Sequence, residues 1–464
     1  MKRIVFISSL FLISINLIGQ NNVNPNLFGF RTSLAFIFFD IQDSVFINNV
    51  KSVSPNVLSF PGGFGNFYHL EGAGYGLKLD EIEKHHKKSK RKTVSKLNKF
   101  IATKNDTDNY IYDFIEMVKV TGSSVLYNAN ITSSSPEEVL QVIKLFADSN
   151  VTLLGVELGG ELSNRSYAHF MNIERYISLS KLYSKSIKKV YKDLPVAVVS
   201  APNNRGLQKL TDWNNKLATE DYYDAIIIHP YAKVLKGKDV AGKMLTVIPE
   251  GTGDADAYSI YKDRAVKYIS SDFNLEISKY NKTFSNKKIW MTEWNLQMSP
   301  VTGNSLLQAL FVSHQLIELA SLQESNIDIA TFHNLAGRTI SGSMLMRRNK
   351  ETNKNASFNS MRIVKELFRD SLFLVHKLEI KKDCFEYCFM LEDGNKKLYY
   401  WINWTEKPIN SDLILTGKKS EYFGDNLFDK NLANKKLQYN LKTYVNSEVI
   451  LKPYSITLFE VINH

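Results

Sequence analysis

The feature that most constrains the fold is an alternation of short apolar runs with longer helical patterns between about residues 57 and 370. The runs are nearly continuous in Val, Ile and Leu, which is typical of strands buried on both faces of a parallel sheet. Strands that alternate with helices predict an α/β fold. The predicted strands are Val57–Phe60, Ser124–Tyr127, Thr152–Glu157, Val196–Ser200, Ala225–His229, Ile289–Thr292 and Ile327–Phe332.

Helical periodicity fills the intervals between these runs. The clearest start is Ser135-Pro136-Glu137-Glu138, where Ser caps the helix, Pro takes the first position and Glu lies three residues after the cap. Seven strand–helix units and an eighth strand near Phe28–Phe39 predict a (β/α)8 TIM barrel. An open doubly wound sheet is the alternative, but Pro61-Gly62-Gly63-Phe64-Gly65 lacks the glycine spacing of a dinucleotide-binding loop. Further helices are predicted at 108–120, 167–191, 306–323 and 357–372.

The pattern changes after about residue 375, where strand-like runs separated by turn residues replace the helical periodicity. Asp393-Gly394 between Phe385–Leu391 and Leu398–Trp404 predicts a hairpin, and Val449–Leu451 and Ser455–Val461 are predicted as the last strands. We therefore expect a barrel domain at 21–374 and an accessory antiparallel β-sandwich at 375–464.

Residues 1–20 have the pattern of an export signal. Lys2 and Arg3 precede an apolar run from Ile4 to Ile18, and Gly19-Gln20 leads into polar sequence. A membrane anchor is the alternative, although a span needs about 20 apolar residues. We expect a protein that is secreted or periplasmic after removal of this segment, without a stable membrane span.

The chain is basic, with a formal net charge of +11. Six Lys or Arg lie among the nine residues from Lys84 to Lys92. This run indicates an anionic partner, and a solvated loop is the alternative. No nucleic-acid-binding motif accompanies it, so we expect no nucleic-acid partner. The only two cysteines, Cys384 and Cys388, can form neither a disulfide framework nor a four-ligand zinc site.

Two of the predicted barrel strands end in carboxylates. The fourth runs into Glu157-Leu158-Gly159-Gly160-Glu161 and the seventh into Thr292-Glu293-Trp294-Asn295. Barrel enzymes carry their chemistry at these strand ends, and a carboxylate at a buried strand end is costly unless hydrogen bonds or function retain it. The alternative for Glu157 is to form hydrogen bonds with neighbouring site residues instead of reacting itself. Two facing acids can divide into a proton donor and a nucleophile, which is what cleavage of a glycosidic bond requires.

With these motifs the chain resembles clan A glycoside hydrolases, particularly the branch of α-L-arabinofuranosidases, β-xylosidases and heparanase-like β-glucuronidases. The resemblance covers about residues 28–462 and implies their barrel with an accessory sandwich. It rests on Pro61-Gly62-Gly63 after the second strand, Glu157 to Glu161 after the fourth, His229-Pro230-Tyr231 after the sixth, Thr292 to Asn295 after the seventh and Pro453-Tyr454-Ser455-Ile456 near the end.

The resemblance also implies roles for single residues. Glu161 would be the general acid/base and Glu293 the nucleophile of a retaining enzyme. Tyr231 would hold Glu293 ionised, and His229 would line the pocket. One position departs from the family pattern, because Gly160 stands where the family carries an Asn that contacts the sugar's 2-hydroxyl.

Position at a strand end alone adds Asn203, His333 and Asn334 as candidates for sugar contacts, and Trp294 as a pocket wall. The sequence thus predicts an exported retaining glycoside hydrolase acting on a polysaccharide or oligosaccharide, in particular a sulfated or uronate-containing one. It predicts neither a metal nor an organic cofactor. The alternative is a carbohydrate-binding protein on the same barrel with weak or no turnover, which the missing side chain at Gly160 suggests.

Overall fold

The computed structural model describes residues 22–85, 107–322, 325–337, 342–431 and 437–462, together with residues 95, 99 and 102. The predicted export signal and residues 86–92 of the basic run lie outside these residues. Among the helices described, none combines the length and the apolar character that crossing a lipid bilayer requires.

Eight parallel strands form a closed barrel, so the predicted TIM barrel is confirmed. The barrel strands are β1 (Gly29–Arg31), β2 (Val57–Phe60), β3 (Ser124–Ala129), β4 (Leu153–Leu158), β5 (Val196–Val199), β6 (Ala225–Ile228), β8 (Lys288–Leu296) and β9 (Ile327–Phe332), while β7 (Tyr231–Ala232) is a short strand beside the end of β8. Each strand pairs with its neighbour in chain order, and the β1–β9 and β6–β8 pairings complete the ring. All eight carboxyl ends therefore open on one face.

Helices cover the outside of the barrel, and several begin at capping residues that the sequence carries. The Ser135 side chain accepts from the amide of Glu138, as its motif predicts, and Asn172 caps a helix in the same way. That second helix begins at Ile173, so the prediction from residue 167 was too long. The helices are α1 (Ala35–Phe38), α2 (Ser44–Val53), α3 (Leu79–His85), α4 (Tyr110–Thr121), α5 (Pro136–Asp148), α6 (Ile173–Val190), α7 (Gln208–Leu217), α8 (Asp254–Lys267), α9 (Phe273–Thr283), α10 (Leu306–Ser321) and α11 (Ala356–Val364).

The first strand is shorter than the sequence predicts. The run Phe28–Phe39 was expected to be one strand, but β1 stops at Arg31 and Ala35–Phe38 is helical. This run is short and mostly apolar, and such a run fits a buried strand and a buried helical turn equally well, so its periodicity does not distinguish the two. The early end of β1 places Arg31 at the mouth of the barrel.

The C-terminal region is a six-stranded antiparallel sheet in the order β13-β14-β15-β18-β16-β17. The predicted hairpin is present, with Cys384–Leu391 paired to Lys396–Asn403. Cys384 and Cys388 are buried and free on one strand. The strands are β13 (Leu372–Lys381), β14 (Cys384–Leu391), β15 (Lys396–Asn403), β16 (Ile409–Phe423), β17 (Gln438–Leu451) and β18 (Ser455–Ile462); a smaller sheet joins β10 (Ala336–Gly337), β11 (Leu345–Arg348) and β12 (Glu351–Lys354).

The helix α10 lies between the barrel and this sheet, and its residues from Leu306 to Ala320 are all buried. A polar network crosses the contact. His314 accepts a hydrogen bond from the indole of Trp404 at 3.1 Å and contacts the Tyr387 hydroxyl at 2.8 Å, while Glu318 binds Lys377. Burial lowers the pKa of His314 to about 3, so it is neutral in this network.

Candidate active site

The mouth of the barrel is organised around Arg31, the buried last residue of β1. Its Nε lies 3.0 Å from Glu293 Oε1, and its Nη1 lies 3.4 Å from Glu157 Oε2. Nη1 also donates to the carbonyl of Thr292, and Nη2 donates to that of Gly62, both at 3.1 Å. One guanidinium thus pairs with a carboxylate from each of two strands, which its planar set of donors allows.

The Pro61-Gly62-Gly63 turn after β2 packs against Ser33, two residues after Arg31 in the chain. Gly62 has a φ of +70°, and a Cβ placed on it would lie 2.4 Å from the amide nitrogen of Ser33. Only glycine permits both the conformation and the close approach. The motif therefore serves to bring a backbone carbonyl to Arg31.

Glu293, on β8, is largely buried and held from both of its oxygens. Oε1 pairs with Arg31, and Oε2 accepts a hydrogen bond of 2.9 Å from the Tyr231 hydroxyl. Burial alone would raise the pKa of Glu293, but the charges of His229, Arg31 and His333 and the bond from Tyr231 hold that pKa well below its usual range. The carboxylate is therefore ionised and fixed in orientation.

Glu161 lies in the turn after β4 and is more exposed, with 49% of its side chain accessible. It adopts a left-handed φ of +51°. His229 Nδ1 lies 3.3 Å from its Oε1, and Asn164 donates to its Oε2 at 3.4 Å. The hydrogen bond to His229 lowers the pKa of Glu161, against burial and the charge of Glu293, which raise it.

The two glycines before Glu161 have different tasks. Gly159 has a φ of +82°, and a Cβ there would lie 2.5 Å from Leu162 Cδ1, so the position requires glycine. At Gly160 the side chain of Asn66 binds the backbone twice, donating to the carbonyl at 2.6 Å and accepting from the amide at 2.8 Å. The turn is thereby fixed even though it carries no bulky side chain.

Space exists for a side chain at Gly160. A Cβ there would lie 3.4 Å from Asn128 Nδ2 and 3.8 Å from Arg31 Nη2, which is ordinary contact. Asn128 donates to Glu157 Oε2 at 2.7 Å, and its Oδ1 is buried without a hydrogen-bond partner among the described residues. Polar groups from neighbouring strands thus border the place that the family's Asn would fill.

His229 connects the two acids. Its Nδ1 is 3.3 Å from Glu161 and 3.7 Å from Glu293, and its Nε2 is 3.1 Å from Thr292 Oγ1. Glu161, His229 and Glu293 each present an atom within 4.8 Å of the other two. Carboxylate and imidazole donors can bind a divalent cation, but Arg31 already supplies the positive charge beside Glu293, so the arrangement does not call for a metal.

Three further residues predicted at strand ends are buried or bound to other groups. Trp294 is 2% exposed and packs edge-on against Phe332, so it has no open face for a sugar to stack on. Asn203 Oδ1 accepts from the amide of Asn214 at 2.9 Å. Asn334 is buried. In the part of the chain described, none of these three predicted residues hydrogen-bonds to Glu161 or Glu293.

Sequence reasoning missed Arg31, Asn66 and Asn128, which position the turn and both strand-end carboxylates. A signal was available for one of them, because Arg31 is a charged residue directly after the apolar Phe28-Gly29-Phe30. That is the same pattern that draws attention to the glutamates. The two asparagines carry no such signal, since an Asn after a strand is typical of any loop.

Comparison with solved structures finds this architecture in known enzymes. The GH51 arabinofuranosidase from Xanthomonas axonopodis pv. citri aligns with a TM-score of 0.67 and 13% identity, over 96% of this chain and 97% of that one. The α-L-arabinofuranosidase from Thermotoga maritima, in an arabinose complex, gives 0.63 and 15% over 95% and 97%. The catalytic domain of GH30 xylanase C from Talaromyces cellulolyticus gives 0.53 and 12% over 96% and 98%.

No protein-family model and no curated protein sequence matches this chain. Identities this low establish the fold alone. The fold is that of clan A glycoside hydrolases, a TIM barrel followed by a C-terminal β domain, so the predicted resemblance is confirmed at the level of structure.

Proposed function

We propose that this protein is a retaining glycoside hydrolase, with Glu293 as the nucleophile and Glu161 as the general acid/base. The observation that carries the proposal is the approach of oxygens from these two carboxylates to within 4.8 Å of each other. Retaining enzymes hold their carboxyl groups about 5 to 5.5 Å apart, whereas inverting enzymes need about 6.5 to 9.5 Å to admit a water molecule.

In the first step an oxygen of Glu293 attacks the anomeric carbon while the bond from that carbon to the leaving oxygen breaks. Glu161 gives its proton to the leaving oxygen. The ionised, doubly held state of Glu293 suits this attack, because the carboxylate needs neither deprotonation nor reorientation. The result is a glycosyl ester on Glu293 and a free leaving group.

In the second step Glu161 takes a proton from water, and the water oxygen attacks the same carbon and releases Glu293. Glu161 must therefore change protonation twice in each cycle. A bound sugar would cover its exposed carboxyl, and this loss of contact with water raises the pKa of Glu161 toward the range of a proton donor.

For the substrate we propose a polysaccharide or oligosaccharide. The positive net charge of the chain favours an anionic one. The named neighbours act on arabinofuranosides and xylans, which makes pentosides the first neutral substrates to try. The basic character of residues 84–92 and the export pattern of residues 1–20 support an extracellular or periplasmic acidic glycan.

The test is turnover of a panel of 4-nitrophenyl glycosides that includes α-L-arabinofuranoside, β-D-xyloside and β-D-glucuronide, with the product anomer followed by NMR. We expect the first-formed product to keep the anomeric configuration of the substrate. A matching 2-deoxy-2-fluoro glycoside should inactivate the enzyme and add its mass to the peptide that contains Glu293. An inverted product, or label on another residue, contradicts the assignment.

A carbohydrate-binding protein without turnover is the second candidate. Gly160 favours it, because hydrogen bonds to the 2-hydroxyl supply several kcal/mol of transition-state stabilisation in such enzymes, and Gly160 has no side chain to make one. Binding of a panel sugar, measured by calorimetry, with neither release of nitrophenol nor covalent labelling would establish this candidate instead.

A further inference from the structure

A cavity of about 210 Å³ lies beside Glu161, above the ends of β5 and β6. Its lining includes Glu161, His229, Tyr231, Lys233 and Arg205. Glu293 does not line it. A proton donor must touch the glycosidic oxygen, and the nucleophile approaches the sugar ring from the other side. A cavity bordered by Glu161 without Glu293 is therefore on the side of the leaving group.

Two cationic side chains face this cavity without carboxylate partners. Lys233 is partly buried, and in the part of the chain that the structure describes neither its ammonium nor the guanidinium of Arg205 has a carboxylate within 4 Å. The ammonium lies 5.7 Å from the centre of the Tyr231 ring. Both cations line the same cavity, and burial and the charge of Arg205 lower the pKa of Lys233.

Glu276 also lines the cavity but is a weak counter-ion for Lys233. Glu276 is buried, and its Oε2 accepts a hydrogen bond of 3.0 Å from the Tyr268 hydroxyl. Burial raises the pKa of Glu276, so its negative charge is held less firmly than that of an exposed acid. An unpaired, partly buried ammonium is unfavourable, and an anion that hydrogen-bonds to it would remove that cost.

We propose that Lys233 and Arg205 form a subsite for an acidic group, a carboxylate or a sulfate, on the sugar that leaves. The inference rests on the proposed function, because the role of Glu161 decides which side of the cleavage point the cavity serves. Asn164 and Asn204, which also line the cavity, offer amide groups to the hydroxyls of that sugar. The subsite selects the leaving group and not the sugar transferred to Glu293.

The first experiment compares two aryl glycosides of one sugar, with 4-nitrophenol and 3-carboxy-4-nitrophenol as leaving groups. We expect the wild type to have a kcat/KM about tenfold higher for the carboxylated substrate. Lys233→Met should abolish the preference, and salt should weaken it. Lys236→Met is the matched control, because Lys236 is exposed on the same segment and does not line the cavity. A wild type without preference, or a Lys233→Met variant that slows both substrates equally, overturns the subsite.

A second measurement does not depend on turnover. Reductive methylation of the wild type in methyl β-D-glucuronide or methyl β-D-glucoside, read by peptide mass spectrometry, should show Lys233 protected by the glucuronide alone, with Lys236 labelled equally in both. Protection without hydrolysis of any glycoside would keep the anionic subsite and reject the proposed function. Equal labelling of Lys233 together with hydrolysis would reject the subsite and keep the proposed function.

Discussion

The end of β8 and the turn after β4 hold the two acids in contrasting ways. At the end of β8, Glu293 is 12% exposed and is bound by Arg31 and Tyr231. In the turn after β4, Glu161 is 49% exposed and has a left-handed backbone. The contacts of Glu293 favour its ionised form, and the exposed side of Glu161 leaves its carboxyl accessible to protons. In the mechanism proposed above, the rigid and buried carboxylate of Glu293 suits a nucleophile, and the partly exposed carboxyl of Glu161 suits an acid/base.

The substitution Glu293→Gln is the strongest test of the contrast between the two acids. We expect a loss of about ten-thousand-fold or more in kcat, whatever the leaving group, because the neutral amide of Gln is too weak a nucleophile to replace the carboxylate. Thermal unfolding followed by circular dichroism checks that the barrel is intact. A variant that folds normally and keeps more than a hundredth of the wild-type rate contradicts the role of Glu293.

Glu161→Gln should have a smaller effect that depends on the leaving group. For a sugar leaving group we expect kcat/KM to fall about 100- to 10,000-fold, the range for loss of general acid catalysis. For 2,4-dinitrophenol the loss in glycosylation should be much smaller, since that phenol departs without a proton. Equal losses on both substrates would remove the distinction between the two acids.

The turn itself can be tested with two adjacent alanines. Gly159→Ala should lower the free energy of unfolding by about 1 to 3 kcal/mol, because its φ is positive and the methyl group would meet Leu162 at 2.5 Å. Gly160→Ala is the matched control and should change stability little, since a Cβ there makes ordinary contacts. Urea unfolding of both variants measures the difference. Equal stabilities would mean that the turn is softer than its geometry indicates.

The smallest expected effect is a shift of the pH profile in His229→Ala. His229 lowers the pKa of both Glu161 and Glu293, so its removal raises both. The proposed mechanism needs Glu293 ionised and Glu161 protonated, so the acid and alkaline limbs of kcat/KM should both move to higher pH. Movement of one limb alone would show that His229 serves only one of the acids.

The candidate acids at the strand ends were predictable from the sequence, because a charged residue is conspicuous at the end of a buried apolar run. A carboxylate that closes an apolar run is expensive, and this rule finds Glu157, Glu161 and Glu293 without any structure. The motif around His229 and Tyr231 contains no carboxylate, and only the family resemblance drew attention to it. The hairpin at Asp393-Gly394 was predictable because its turn chemistry is local.

The residues that could not be predicted depend on which loops meet. Asn66 lies in a turn after β2 and binds Gly160 after β4, a contact separated by 94 residues. Asn128 reaches Glu157 from the neighbouring strand. The order of the six C-terminal strands has the same origin, since alternation along β16 and β17 identifies strands but does not choose their partners.

Because α10 is buried on every side, the barrel depends on the C-terminal sheet to cover this helix, and the two domains cannot be exchanged independently. A chain that ended before β13 would expose the outer face of α10 to water and leave His314 and Glu318 without Trp404, Tyr387 and Lys377. Such a fragment should aggregate. Anyone who grafts this barrel onto another accessory module must therefore redesign the outer face of α10 at the same time.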